Sequence, residues 1–217
     1  MADYSIRKYN KGDYEAVRDL FAQGMLEYIP GTTSYMLKLP QVYCPILASS
    51  IILQLFFQSF FLSLLGVGIA VAAVHLILTF ACKKLIKQCH NGDLRNVQET
   101  YIWKPNSCFW VAESGGRIVG MVGAQPAPNS NNDMTLRRLS VARDQQRRGI
   151  AKALCTTVFD FARHRGYKRV VLDTSTFQFT AHKLYQKLGF TIKKIIPSKS
   201  RLGRFAKMSV VFYSYDF

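Results

Sequence analysis

Over the 44 residues from Leu39 to Cys82 the chain has no aspartate, glutamate, lysine or arginine. A surface helix of a soluble domain interleaves charge with apolar residues, so a block of this length excludes one. Acidic residues are scarce everywhere: 13 against 29 lysines and arginines, a net charge of +16 in 217 residues. That balance favours anionic partners, whether nucleic acid, an acidic membrane surface or a polyphosphate cofactor, without choosing among them. Cysteine is sparse and unpatterned. Cys44, Cys82, Cys89, Cys108 and Cys155 form no CxxC pair and no histidine cluster at zinc spacing, so neither a metal site nor a disulfide framework is predicted. They read as free thiols in a reducing compartment. Cys82 and Cys89, at the edge of the uncharged block, have an apolar role or palmitoylation open to them. The polar start, MADYSIRKYNKGDYEAV, reads as no secretory leader, because no apolar core of suitable length precedes residue 39.

The uncharged block predicts a membrane segment. As one helix its 44 residues would reach about 66 Å, roughly twice the hydrocarbon thickness of about 30 Å. Two helices of about 20 residues, joined near the glycines of Ser63 to Gly68, fit better. The 22 Leu, Ile, Val and Phe residues between Val42 and Cys82 contribute about −7 to −13 kcal/mol to insertion. Gln54, Gln58 and His75 oppose this, but all three are neutral and have hydrogen bonds across the hairpin open to them. Lys38 precedes the block and Lys83, Lys84 and Lys87 follow it. Basic flanks at both ends predict that both lie on the cytosolic side.

The remainder reads as one α/β (α+β) domain, long enough for a real core. A strand over residues 4–10 and a helix capped by Asp13 precede the block. Strands at 108–113 and 117–126 form a hairpin around Ser-Gly-Gly, and a further strand covers 134–142. A helix from Gly149 ends at Gly166, a strand spans 168–175, and a short helix ends at Gly189. Two neighbouring strands, TIKKII and AKMSVVFYSYDF, close the chain. The lone first strand and helix need the sheet built by the later part, which requires both pieces on one membrane face.

The turn RDQQRRG, between a strand and a helix, has the chemistry of a pyrophosphate cradle. A helix start offers unpaired N–H groups and partial positive charge, Gly149 lets a large anion approach, and Arg147 and Arg148 add full charges. It has neither the lysine-serine ending of a Walker loop nor a GxGxxG pattern. Gln146-Arg147-Arg148-Gly149-Ile150-Ala151 resembles the Q/R-x-x-G-x-G/A motif of GNAT acetyltransferases. Ala181-His182-Lys183-Leu184-Tyr185-Gln186-Lys187-Leu188-Gly189-Phe190 resembles their A-x-x-L-Y-x-x-x-G-F motif. With IRKYN, CFWVAES, VGMVGAQP and the apolar insert after the first helix, nearly the whole chain is similar to the camello-like, N-acetyltransferase 8 family.

That resemblance implies a GNAT fold: a mixed central sheet flanked by helices, with residues 1–37 as its first strand and helix, 38–88 as an inserted hairpin and 89–217 as its main part. It implies a membrane enzyme of the endoplasmic reticulum that moves acetyl from acetyl-CoA to an amine, with the bilayer as a further partner. The expected acceptor is the α-amino group of cysteine S-conjugates; protein lysines of the secretory pathway and a non-catalytic membrane scaffold are the alternatives. A nucleic-acid binder has no recognition motif in its favour. Val141 is the expected main-chain donor to the thioester carbonyl, and Tyr185 the acid for the departing thiolate. Gln146, Arg147, Arg148, Gly149, Ile150, Ala151 and Lys152 are the expected cofactor contacts. The strand TLRRLSV has no carboxylate where many GNAT enzymes place a base, which leaves Glu113, Asp133, Asp173, His182 or water. Gln178 or Thr180 stands where the superfamily often has asparagine. Arg137 and Arg138 are candidates for a substrate carboxylate.

Overall fold

A computed structural model describes residues 3–128 and 130–217. The first strand β1 (Ser5–Lys8) leads to α1 (Tyr14–Leu26) and α2 (Tyr28–Leu37), and then to two apolar helices, α3 (Pro40–Phe57) and α4 (Phe60–Asn91). The chain continues through β2 (Cys108–Ser114), β3 (Arg117–Pro126), β4 (Asp133–Val141), α5 (Ile150–His164), β5 (Arg169–Ser175), α6 (Phe179–Lys187), β6 (Thr191–Pro197), α7 (Arg201–Phe205) and β7 (Ser209–Asp216). One seven-stranded sheet has the order β1-β2-β3-β4-β5-β7-β6, antiparallel except between β4 and β5. Strand β1 pairs with β2 from Ser5↔Glu113 to Lys8↔Trp110. The N-terminal piece thus completes the sheet, and a single membrane crossing between β1 and β2 is geometrically excluded.

Local sequence explains the helix ends. Asp13 does not cap α1 with its side chain, as expected from sequence; it sits one turn earlier in a capping box, where Asn10 accepts from Gly12 N–H (2.9 Å) and Asp13 from Asn10 N–H (2.9 Å). Arg7 occupies the remaining lone pairs of Asp13 at 2.7 and 2.8 Å. The second helix, α2, was not anticipated, although Pro30 in its first turn is a start signal. On α5, Ile150, Leu154, Cys155, Val158, Phe159 and Ala162 recur at helical spacing and are all buried. Burial of each larger apolar side chain contributes roughly 1.5–3 kcal/mol. The helix stops as expected at Gly166, where Tyr167 N–H reaches back to the Ala162 carbonyl (3.1 Å).

The apolar hairpin turns earlier than its glycines suggest. Gln58 closes α3 in the left-handed region (φ 45°), and Ser59 caps α4 by accepting from Leu62 N–H. Gly66 and Gly68 remain helical, inside the continuous run of α4. A Cβ on Gly66 would stand 2.9 Å from Leu53, so its smallness serves close helix packing instead. Ser63 donates to the Ser50 carbonyl (3.2 Å) and Gln54 (3.3 Å), and His75 meets Thr33 (3.2 Å), so two of the three internal polar residues are satisfied locally. Only 6% of the most apolar stretch of each helix is buried, which no core helix of a soluble protein shows. The bare side chains run from Tyr43 to Phe57 on α3 and from Phe60 to Phe80 on α4. That length is about 30 Å on the longer side, the thickness of a hydrocarbon layer. Beyond Phe80, α4 enters the folded body: Ile86 is buried and Cys82 and Cys89 pack inward against the main core.

Candidate active site

The two parallel strands, β4 and β5, stay paired for three residues only, from Asp133↔Arg169 to Thr135↔Val171. Beyond that, β4 follows β3 to Val141 while β5 follows β7 to Ser175, and the sheet opens into a wedge. A bulge in β4 sits at the opening. Arg138 and Leu139 together face Val122, and Arg138 has φ 59°. A left-handed bulge residue bends its strand and increases the twist, which carries β4 away from β5.

Beyond the bulge, Ala142 N–H reaches the Val119 carbonyl at 2.8 Å. Bonding direction alternates along an antiparallel ladder, so Val141, opposite Gly120, turns its N–H and carbonyl into the wedge. An oxygen gaining negative charge there would meet a main-chain donor. At the wedge mouth the chain makes a tight turn with Arg147 at φ 65° and Gly149 at φ 82°. A Cβ at Gly149 would meet nothing within 4 Å, so the glycine is required by its backbone angle and opens onto free space. The first bond inside α5 runs from Ala153 N–H to the Gly149 carbonyl (3.0 Å), which leaves the N–H groups of Ile150, Ala151 and Lys152 without an acceptor one turn back. No side chain caps this helix. Arg147, Arg148 and Lys152 are exposed around it; Arg148 lies 3.7 Å from Asp3, and Arg147 makes no ion pair among the described residues. Gln146 donates to Glu27 (2.9 Å) and stands 3.4 Å from the Val141 carbonyl. The elbow between α1 and α2 therefore closes over the wedge. Sequence reasoning missed Glu27 and its neighbour Tyr28; the Pro30 signal for a new helix was the readable clue to this elbow.

Tyr185 comes from the other wall. Its place is set by the end of α6, where Phe190 N–H bonds the Tyr185 carbonyl (3.0 Å) and Gly189 N–H the Gln186 carbonyl (3.1 Å). Gly189, at φ 89°, makes this reversal possible, and the Phe190 ring packs on the Tyr185 ring at 5.6 Å. This is a Schellman ending with its apolar contact, the physical content of the L-Y-x-x-x-G-F spacing. Burial, followed by the proximity of Cys155 and Tyr28, pushes the Tyr185 phenol far above its ordinary value. Its hydroxyl has no partner among the described residues, yet it is not sealed, since 7% of the residue stays accessible. A protonated, unengaged phenol beside an opening is a proton donor in waiting.

Most of the other predicted residues are otherwise engaged. Arg138 does not face open space for a substrate carboxylate: its guanidinium holds Asp93 at 2.6 and 2.9 Å, touches Cys89 sulfur at 3.0 Å and lies 5.0 Å over the Phe21 ring. The carboxylate it binds is the chain's own. Glu113 pairs with Arg7 (2.8 Å) on β2, and Asp133 pairs with Arg169 (2.7 Å) where the wedge is closed. His182 Nε2 faces the Ser175 carbonyl (3.0 Å), which can only accept, so that nitrogen carries the proton and Nδ1 accepts from the Tyr213 hydroxyl (2.7 Å). Both ring nitrogens are engaged within the fold. Asp173 is exposed on β5, and Gln178 accepts from the Thr174 hydroxyl. A hollow of about 300 Å³ lined by Lys8, Trp103, Lys104 and Arg165 lies at the opposite end of the sheet and shares no residue with the wedge.

Residues 78–190 match the family described as Acetyltransferase (GNAT) family. The chain is 36% identical over 216 residues to a protein named probable N-acetyltransferase camello of Xenopus laevis, covering 100% of this chain and 99% of the other. It is 38% identical over 193 residues to N-acetyltransferase family 8 member 3 of Mus musculus, covering 88% and 85%. It belongs to the camello-like, N-acetyltransferase 8 branch of the GNAT family. Solved structures agree on the fold. A GNAT acetyltransferase from Staphylococcus aureus superposes with a TM-score of 0.58 at 16% identity, covering 98% of each chain. A putative streptothricin acetyltransferase from Bacillus anthracis in complex with acetyl-CoA gives 0.51 at 22% identity, covering 55% of this chain and 67% of that one.

As a GNAT enzyme the protein is an acetyl-CoA-dependent N-acetyltransferase, and its residues fit that co-substrate. The open side of Gly149, the three orphan N–H groups of α5 and the exposed Arg147 and Arg148 suit a pyrophosphate. Acetyl-CoA would supply an activated thioester there.

Proposed function

We propose that the protein is a bilayer-anchored N-acetyltransferase of the endoplasmic reticulum that acetylates a small amphipathic primary amine, the α-amino group of a cysteine S-conjugate. The observation that carries this reading is the placement of the hairpin beside the wedge. Met36, Leu39 and Val42, where α2 gives way to α3, pack with Phe177, two residues before the helix of Tyr185. The Tyr35 ring lies 5.4 Å from Phe177 and 6.2 Å from Phe179. An acceptor with an apolar tail would leave the bilayer next to the site that acetylates its amine. All five cysteines are free, and both ends of the hairpin carry lysine, which supports a cytosolic catalytic body. The compartment itself rests on the family resemblance.

In this reading the amine attacks the thioester carbonyl directly. Val141 N–H holds the carbonyl oxygen as it gains charge, the amine loses a proton, and the Tyr185 hydroxyl protonates the departing sulfur. The proton acceptor is Glu27, the carboxylate that Gln146 ties to the Val141 carbonyl. The full chain in nanodiscs, assayed with S-benzyl-cysteine, free cysteine, aspartate and a lysine peptide, tests the acceptor. The expected result is a kcat/KM for S-benzyl-cysteine at least about tenfold above that for free cysteine, the minimum for an added apolar ring. A preference for the lysine peptide would replace the acceptor with protein lysine.

A further inference from the structure

The last third of the chain has a charge asymmetry that acetyl transfer does not use. From Thr191 to Tyr215 there are six lysines and arginines and no acidic residue. Lys193 and Lys194 lie on β6, the edge strand of the sheet, where lysine guards against unwanted strand pairing, and Lys193 meets Asp216 at 3.5 Å. Lys199, Arg201, Arg204 and Lys207 have no such explanation. All four are exposed, and no ion pair engages them among the described residues.

Their position is distinctive. Gln41, in the first turn of α3, donates to the Phe205 carbonyl at 2.5 Å. Ala206 is buried with Met36, Leu39 and Val42, and Val74 and Leu78 of α4 pack on the same cluster. The segment from 199 to 207 therefore lies level with the point where both apolar helices leave the body. Around that level the side chains of Tyr43 and Leu47 on α3 and of Leu76, Ile77 and Phe80 on α4 are bare. Phe205 is itself 47% exposed, an aromatic ring among four cations at that level. Lys38 and Lys83 flank the helices at the same border.

We infer that Lys199, Arg201, Arg204 and Lys207, with Phe205 between them, form a docking surface for anionic lipid headgroups. The cations would pair with phosphate and carboxylate groups while the ring enters the interfacial layer. The surface is tied to the wedge. Ser209 N–H bonds the Thr176 hydroxyl (3.1 Å) and Thr176 N–H the Ser209 carbonyl (3.0 Å), so the docked segment braces the loop that leads into α6. Headgroup contact would hold the mouth of the site against the membrane.

This inference rests on the membrane reading, and its test separates the two. The full chain is assembled into nanodiscs of phosphatidylcholine alone, or with about 30% phosphatidylserine, and hydrogen exchange is followed by mass spectrometry. The expected result is co-elution with both discs, and exchange at residues 199–208 slowed about twofold or more only in the anionic ones. The Arg201→Gln/Arg204→Gln/Lys207→Gln variant, altered only at exposed side chains, is expected to lose that difference and still enter both discs. Entry into both discs with equal exchange at 199–208 would overturn the docking surface alone. Failure to enter either disc would overturn the membrane reading and this inference with it.

Discussion

Tyr185→Phe should lower kcat by about 10²-fold or more while leaving the melting temperature almost unchanged. The two halves of that expectation belong together. The Tyr185 hydroxyl has no hydrogen-bond partner among the described residues, so its removal breaks nothing in the fold. The ring, by contrast, packs on Phe190 and Tyr213, each at 5.6 Å, and phenylalanine keeps both contacts. A tyrosine that merely fills space would predict unchanged kinetics. The pH dependence carries its own sign. Burial raises the pKa of the phenol, so its donor form persists above neutrality and the rate should not fall there through loss of this proton. The rate should instead rise with pH as the acceptor amine loses its proton. Glu27→Gln, which removes the proton-accepting carboxylate, should lower kcat/KM by about 10²-fold. Measurement of kcat and kcat/KM against pH for both variants, beside thermal unfolding, checks this; an unchanged kcat/KM for Glu27→Gln would remove Glu27 from the mechanism.

Asp93→Ala should be the most destabilising single change outside the apolar core. The Asp93 and Arg138 side chains are 14% and 19% exposed, and the same carboxylate accepts the Tyr101 hydroxyl at 2.5 Å. Removal of the carboxylate strands a nearly buried guanidinium and a buried phenol together. Loss of one partner of a buried pair costs about 3–5 kcal/mol, and the remaining solvent contact places this one at the lower end. For a chain of this size, about 3 kcal/mol lowers Tm by roughly 6–12 °C. Burial raises the Asp93 pKa, but the hydrogen bonds and charge of Arg138, with the Tyr101 hydroxyl, more than offset it and leave the value below the ordinary carboxylate range. A folded pKa below the unfolded one gives stability that is fully present above about pH 4 and is lost as pH falls through the depressed value. Asp13, lowered by Arg7 against the same burial effect, adds to that acid limb. Unfolding of Asp93→Asn followed from pH 7 downward should show a shallower limb than the parent. Because Arg138 is the bulge residue of β4, Asp93→Ala should also lower kcat at temperatures where the fold survives.

Much of this was legible in the sequence, for reasons that can be named. Gly166 and Gly189 announced helix ends because only glycine adopts the left-handed angle without cost, and both stand there. The uncharged block announced the hairpin, and the solitary first strand required a sheet across it. The bulge was not legible. Its left-handed residue is an arginine, and no glycine or asparagine marks it. Nor could sequence pair Asp93 with Arg138, 45 residues apart, so Arg138 looked free for a substrate. The hairpin turn was misplaced because Gly66 and Gly68 resemble a turn, whereas Gln58 and Ser59 make it. His182 looked available as a base until the structure gave both its nitrogens partners.

The account's central claim is a wedge that loads acetyl-CoA from the cytosol beside a membrane hairpin. Acetyl transfer in intact microsomes carrying the full chain tests it most directly. Labelled acetyl-CoA, which does not cross the membrane, is supplied outside with S-benzyl-cysteine, and Tyr185→Phe and Gly149→Val serve as controls. Gly149→Val places a branched side chain at φ 82° and should weaken cofactor loading. The account predicts transfer without permeabilisation, lost in both controls. Transfer only after detergent would put the wedge on the luminal side, and no transfer to any amine, with coenzyme binding intact, would contradict catalysis at this site.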